Sequence, residues 1–149
     1  MEENLWGTIF DNSQNLIKAP KKILEEQADE FNKRSQQLGI ICTITHSFED
    51  QIASWKELGV PFGEPEQKEK YLVLKMQLSV PELDNYIFVV LSVKYLVSKI
   101  YPCQIKNLIS DDSWETAQSE GEFKGRLEAI LSSKEMLQLL INLKSQLFD

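Results

Sequence analysis

Two apolar stretches separated by five residues constrain the fold of this chain more than any other feature. In Tyr71–Val80, every second residue from Leu72 onward is apolar, a period of two that is typical of a strand with one buried face. Tyr86–Val93 is apolar on both faces, which favours a strand with neighbours on each side. In the connection Pro81–Asn85, the proline has no backbone N–H to donate to a neighbouring strand, and Asp84 and Asn85 tolerate turn conformations. The segment therefore predicts an antiparallel hairpin.

Two further strands and an N-terminal helix are predicted around this hairpin. Ile40–Phe48 is rich in β-branched residues and follows a glycine directly, so it predicts the first strand. Cys103–Ile109 predicts a fourth strand, with its apolar residues aligned on one face. Pro20–Leu38 predicts a helix, because proline suits the first helical turn, apolar residues recur at helical spacing, and Gly39 supplies a stop.

Two helices are predicted at the C-terminal end. Ser119–Glu122 and Ser132–Glu135 both have the spacing of a capping box, and each precedes an apolar helical stripe. The stripe of Met136–Phe148 is wider than one sheet face needs, which predicts packing against a second helix or another subunit. We predict a single α+β domain over residues 1–149, with an antiparallel sheet of about four strands in meander order covered on one face by the helices.

Composition and charge exclude several classes of function. A chain of 149 residues with 42% hydrophobic and 26% charged residues is typical of a globular protein with a real core. The net charge is −7 and the lysines and arginines are scattered, so we expect no nucleic-acid partner. The apolar runs are far shorter than the roughly 20 residues that span a bilayer, and Met1–Asn4 lacks the basic start of a signal peptide. We expect a cytoplasmic protein with no membrane partner.

The residues with reactive side chains are few. Cys42 and Cys103 both fall in predicted strands, which favours buried free thiols over a disulfide or a zinc cluster. His46 is the only histidine, which excludes metal sites that need two, and its position on an apolar strand face favours a structural imidazole over a catalytic one. Neither a nucleophile elbow nor a glycine-rich phosphate loop is present. We predict no catalytic residue and no cofactor.

One carboxylate cluster follows the last predicted strand. Asp111, Asp112 and Glu115 are chemically able to hold Mg²⁺ or Ca²⁺. The surrounding Ser110–Ser113 is more typical of a solvated turn and helix entry, because Asp and Ser side chains bond to nearby backbone donors. We therefore predict no metal site.

Two segments outside the predicted sheet carry more apolar residues than a solvated loop needs. They are an N-terminal arm, residues 1–19, and an insertion or flap, residues 49–68. Each either packs on its own domain or docks onto another chain. In the second case the partner-binding residues are Trp6, Phe10, Trp55 and Phe62.

Three short segments also carry a resemblance. Leu83–Tyr86, Ile100–Pro102 and Ala129–Glu135, in that order between an N-terminal and a C-terminal helix, resemble segments of small bacterial proteins with no family name and no known function. The resemblance covers Pro20–Leu147 without the insertion and leaves out the N-terminal arm. It implies a bacterial or phage origin and carries no activity, cofactor or functional residue.

Elimination of these classes favours a non-catalytic protein-interaction module, such as an adaptor, a regulator or an immunity-type inhibitor. Its partner would be another protein, either a basic one or a second copy of this chain. The alternative is a small ligand-binding or enzymatic domain with a pocket between the flap and the sheet. The pocket residues in that case are His46, Tyr86, Tyr101, Asp111 and Asp112.

Overall fold

The computed structural model describes residues 17–50, 69–110 and 112–147. Five strands form one antiparallel sheet in the order β1-β2-β3-β4-β5, so the predicted α+β class and meander order are confirmed. Helices precede and follow the sheet in the chain. The elements are α1 (Pro20–Arg34), β1 (Ile41–Asp50), β2 (Lys70–Val80), a 3-10 turn (Pro81–Leu83), β3 (Tyr86–Leu96), β4 (Lys99–Asn107), β5 (Glu115–Ala117), α2 (Glu120–Leu131) and α3 (Lys134–Leu147).

The predicted hairpin is present as β2 and β3. The strands pair from Val80 and Tyr86 at the turn to the far end of both strands, with one register shift on the way. Asp84 and Asn85 adopt left-handed conformations, with φ of 58° and 55°. Asp and Asn tolerate this region better than other non-glycine residues because their short side chains can bond to the local backbone. The Asn85 N–H donates to the Pro81 carbonyl at 3.2 Å and closes the turn.

The sheet is larger than the sequence predicted. β4 begins at Lys99 rather than Cys103, because a tight turn after β3 pairs Leu96 with Lys99. β5 adds a fifth strand of three residues, too short to show any hydrophobic period. Both differences arise from pairing between strands, which local sequence patterns do not record.

The first strand is also longer than predicted. Residues as far as Asp50 pair with β2 in one uninterrupted register, although the insertion was predicted to begin at Glu49. Pairing with β2 therefore extends the strand into the predicted insertion. The remainder of the predicted flap, residues 51–68, lies outside the described residues.

The ends of the helices correct one prediction and confirm another. α1 ends at Arg34 rather than Leu38, and the Ser35 hydroxyl donates to the carbonyl of Ile40, which turns the chain back into the sheet. The Ser119 oxygen accepts the Glu122 N–H, as its capping-box spacing predicted.

The second predicted capping box is displaced by one residue. Ser132 is the C-terminal cap of α2, whereas the oxygen of Ser133 accepts the N–H of Met136 at the start of α3. α2 and α3 are therefore separated by these two serines, of which Ser132 caps the end of α2 and Ser133 caps the start of α3.

The core lies between one face of the sheet and the three helices. Along β2 the side chains on this face are fully buried, as their period of two predicted. Burying a large apolar side chain contributes about 2 kcal/mol to stability. The buried side chains of this layer include Leu24, Leu74, Met76, Leu78, Phe123 and Leu143.

The opposite face of the sheet is polar over much of β1 and β2. Thr43, Thr45 and Lys75 are exposed there, in agreement with the alternation of the sequence. Ile41 lies on the same face and is exposed, and its carbonyl accepts a hydrogen bond from Ser79 of β2 at 3.4 Å. The described helices therefore pack on one side of the sheet only.

Candidate functional site

The four residues predicted to bind a protein partner fall in the N-terminal arm and the flap. Trp6, Phe10, Trp55 and Phe62 all lie outside the described residues, as does Asp111 of the alternative pocket. Their roles remain predictions.

The other four residues of the alternative pocket lie on three different strands and one loop. His46 is exposed on β1, and Asp112 is exposed in the loop between β4 and β5. Tyr86 is the first residue of β3, whereas Tyr101 follows the tight turn at the other end of that strand, a separation of about 30 Å along the sheet. The fold does not bring Tyr86 and Tyr101 into one site.

Tyr101 holds the N-terminal end of the described chain in place. Its hydroxyl donates to the carbonyl of Lys18 at 2.9 Å, and the Lys18 N–H donates to the Glu120 carboxylate at 2.6 Å. Burial raises the pKa of Tyr101, so the hydroxyl keeps its proton and remains a donor. The Lys18 N–H, assisted by the Lys124 side chain, lowers the pKa of Glu120. We name these contacts the Lys18 clasp, and they give Tyr101 a structural role.

Asp112 lines a cavity of about 280 Å³ whose charges are largely paired. The Arg126 guanidinium lies 2.6 Å from the Glu115 carboxylate and 3.5 Å from that of Glu122. Asp112 itself accepts a hydrogen bond from Ser110 at 2.9 Å, as expected of a turn carboxylate. Within the described parts of the chain, no group of three or more His, Cys, Asp or Glu residues could hold a metal ion.

A larger cavity, of about 510 Å³, lies between α1 and α2. Its lining combines aliphatic side chains with lysines and carboxylates, and Lys18 forms an ion pair with Glu26 at 3.1 Å. Among the described residues of this lining, Ser132 supplies the only hydroxyl, and it donates to the backbone carbonyl of Glu128 rather than to a side-chain base.

The two cysteines are free and buried, as predicted. Burial raises the pKa of both Cys42 and Cys103 to about 11. Since the thiolate is the reactive form, both thiols are poor nucleophiles at neutral pH.

The outer edge of β1 is one of the two edges of the sheet, and α1 covers only its beginning. The Asn32 side chain donates to the carbonyl of Cys42 at 2.9 Å and accepts from its N–H at 2.8 Å. The hydroxyl of Ser35 donates to the neighbouring carbonyl of Ile40. We name these contacts the Asn32 clamp. The clamp satisfies backbone groups that a further strand would otherwise bind.

The rest of this edge has no partner among the described residues. The Asn32 clamp shows that the Cys42 N–H and carbonyl point away from β2. In an antiparallel strand this direction alternates, so the backbone groups of Ile44, His46 and Phe48 point the same way. No described strand pairs with them. We name the stretch Ile44–Phe48 the open edge.

The side chains of the open edge leave it accessible. Phe48 is 58% exposed, and its ring lies edge-on to that of His46 with 6.1 Å between centroids. Edge strands of monomeric proteins commonly carry a lysine, a proline or a bulge that prevents further pairing. β1 contains neither lysine nor proline, and its register with β2 is uninterrupted. Only Glu49 and Asp50 at its end add charge.

A second accessible apolar surface lies on α3. Leu137 and Ile141, one turn apart, are 60% and 48% exposed, whereas Met136 and Leu143 on the same helix are buried. The excess apolar surface predicted for the last helix is therefore present as an exposed ridge. Two residues are a small surface compared with typical protein interfaces.

The open edge was missed at the sequence level, although one signal was available. A meander places its first strand at an edge of the sheet, so Ile40–Phe48 could have been identified as an edge strand from the predicted order alone. The role of Asn32 has no such signal, because an asparagine in the last turn of a helix is common and its partner is set by the packing of α1.

Comparison of the chain with protein-family models, curated proteins and solved structures found no match. The bacterial or phage origin implied by the resemblance accordingly remains a prediction. Among the described helices, none has the length and apolar character needed to cross a membrane. The open edge is the candidate site that the described residues define most fully.

Proposed function

We propose that this protein is a non-catalytic interaction module that receives an extended segment of another protein along the open edge. The observation that supports the proposal is the row of outward-directed backbone groups from Ile44 to Phe48, with no described strand beside it. An added strand would bond to these groups and extend the sheet, the binding mode called strand addition. Each backbone hydrogen bond gained in this way contributes about 1 kcal/mol net.

The side chains of the open edge set the preference for the added segment. Ile44, His46 and Phe48 lie on the core side of the sheet, where an added strand would place alternate residues beside them. Apolar residues facing Ile44 and Phe48 would extend the core. The carboxylate of Asp50 favours a basic residue at that end of the segment, whereas that of Glu49 already pairs with Lys94 at 3.2 Å.

An adaptor, a regulator or an immunity-type inhibitor would each use such an edge without any catalytic group. We propose that the protein acts in the cytoplasm, where the buried thiols of Cys42 and Cys103 would remain reduced.

Capture of partners by the tagged full-length protein from its native host tests this proposal. His46→Lys places a charge in the middle of the open edge. Ile41→Lys is the matched control, because Ile41 is also exposed on β1 but its carbonyl faces β2. We expect wild type and Ile41→Lys to recover the same protein in stoichiometric amount, and His46→Lys to recover at least about tenfold less, since a charge at an interface centre costs more than 1.4 kcal/mol.

Full recovery by His46→Lys would contradict the proposal, because binding would then use another surface. Circular dichroism and a denaturation midpoint close to wild type would show that the variant is folded. The Leu137→Lys variant on the α3 ridge separates the two surfaces, since it should leave recovery unchanged.

A further inference from the structure

We infer that the segment received by the open edge is the same edge of a second copy, with the two β1 strands antiparallel across a two-fold axis at His46. This inference rests on the proposed function and names the partner of the same site. The sheet would then continue through both copies, with the helices of each on the same side, because the axis is perpendicular to the sheet.

The register follows from which backbone groups are available. In an antiparallel pair, residues whose N–H and carbonyl point outward must face each other. His46 opposite His46 of the second copy, and Ile44 opposite its Phe48, use the whole open edge. These pairs stop short of Cys42, whose backbone groups are already bound by the Asn32 clamp. In a register shifted by two residues toward the N-terminus, the second copy would have to bond to the Cys42 backbone groups. The Asn32 clamp already binds those groups, so it excludes this register.

The side chains favour the same register over a shift in the other direction. With His46 on the axis, Ile44 lies beside Phe48 of the second copy, and both lie on the core side of the sheet. The exposed ring of Phe48 gains an apolar neighbour in each copy. With Ser47 on the axis instead, the carboxylate of Asp50 would face Ile44, and the apolar pair would be lost.

Charges at the two ends are complementary in the register centred on His46. Beyond Phe48, the second copy's strand would place its Asp50, which lies on the core side of the sheet, next to the Asn32 clamp. Lys33 and Arg34 follow Asn32 in the last turn of α1 and are both exposed, and Arg34 pairs with Glu30 of its own helix at 2.9 Å. The symmetry therefore places the Asp50 carboxylate of each copy near the basic end of the other copy's α1. Glu49 takes no part, because it lies on the opposite face and pairs with Lys94 at 3.2 Å.

Cysteine crosslinking of the full-length protein measures this register. In the proposed dimer the two His46 Cα atoms lie about 5.5 Å apart, a separation at which a disulfide can form. Mild oxidation of His46→Cys should give a covalent dimer about tenfold faster than Thr45→Cys or Ser47→Cys, whose own copies lie farther from the axis. The native thiols should not interfere, because both are buried and the wild-type protein serves as the blank.

Light scattering after gel filtration gives the second measurement. We expect wild type and Ile41→Lys to have twice the 17.2 kDa mass of one copy, and His46→Lys, with two charges facing across the axis, to have the mass of one. Fastest crosslinking at Thr45→Cys or Ser47→Cys would overturn the register. A monomeric wild type at all concentrations, or a dimeric His46→Lys, would overturn the inference.

The proposed function and the identity of the partner as a second copy can be overturned separately. If the wild type is monomeric but captures a protein that the His46→Lys variant does not capture, the inference of a second copy is wrong and the proposed function stands. If wild type is monomeric and capture is insensitive to His46→Lys, both are wrong.

Discussion

The two edges of the sheet differ in how completely the other described residues cover them. β5 is three residues long, and the Arg126 side chain donates to the Thr116 carbonyl at 3.1 Å while it pairs with Glu115 at 2.6 Å. β1 is ten residues long, and the Asn32 clamp covers only its beginning. A short, covered edge resists further pairing, whereas a long and open one permits it.

The difference follows from where the helices run. α2 begins just after β5, so a side chain of its second turn reaches back to that strand. α1 ends before β1 begins, and only Asn32 and the following Ser35 reach the strand edge. One edge is therefore covered by its own helix, while at the other the backbone groups of Ile44–Phe48 have no partner in the described parts of the chain.

The largest expected effect comes from proline substitutions on β1. Thr45→Pro removes an N–H directed at β2 and should lower the free energy of unfolding by about 3 kcal/mol. His46→Pro removes an N–H directed outward and should cost about 1 kcal/mol or less, because edge strands tolerate proline at such positions. Urea denaturation of both variants measures the difference. Equal losses of stability in the two variants would show that the His46 N–H is already hydrogen-bonded within the chain, which would contradict the open edge.

Removal of the Asn32 clamp should have the next largest effect. Asn32→Ala leaves the N–H and carbonyl of Cys42 without their partner in a partly buried position, at a cost of about 2 kcal/mol. Asn142→Ala is the matched control, since that amide bonds only to the exposed Gln138 side chain, and it should stay within about 0.5 kcal/mol of wild type. Similar losses in the two variants would mean that the clamp does not hold β1.

The covered edge should be less sensitive to loss of its arginine. Arg126→Ala removes the bond to Thr116 and two surface ion pairs, so we expect a loss of about 1 kcal/mol and faster amide exchange in β5. Arg34→Ala, which removes one exposed pair with Glu30, should change stability by about 0.5 kcal/mol or less. Amide exchange in β5 that is unchanged by Arg126→Ala would show that the arginine does not protect this edge.

The smallest effect concerns pH at the Lys18 clasp. The folded-state pKa of Glu120 lies below its ordinary value of 4.5, chiefly because the Lys18 N–H binds the carboxylate. The charged form therefore stabilises the fold above the unfolded-state pKa, and this contribution is lost as the pH falls through the folded-state pKa. Glu120→Gln should have a lower free energy of unfolding than wild type at neutral pH. This difference, measured by urea denaturation, should disappear under acid conditions. Glu128→Gln, the same charge change on α2, is the matched control for the loss of one carboxylate.

Much of the fold could be predicted from local patterns. The period of two in Tyr71–Val80 and the turn chemistry of Asp84 and Asn85 led to the hairpin. The capping spacing at Ser119 led to the start of α2. The apolar surroundings of the two cysteines led to buried free thiols. Each of these features depends on residues close together in the chain, so the sequence displays it directly.

The candidate site could be predicted only in part. The excess apolar surface of the last helix was visible in its stripe and is present at Leu137 and Ile141. The proposed pocket around His46, Tyr86, Tyr101 and Asp112 depended on their being neighbours, and the sheet instead separates Tyr86 from Tyr101 by most of the length of β3. Distances across a sheet depend on register and strand order, which single residues do not reveal.

The identity and spacing of the side chains were enough to predict an antiparallel α+β domain with a single histidine and with neither a nucleophile-elbow nor a glycine-rich phosphate-loop motif. Which backbone groups remain without a partner depended on the tertiary structure. The N–H of Thr45 faces β2, whereas that of His46 faces away from it and has no partner among the described residues, because α1 reaches the outer side of β1 only at its beginning, through Asn32. Hydrogen bonding between strands is a property of pairs distant in sequence, so the open edge emerges only when the chain is folded.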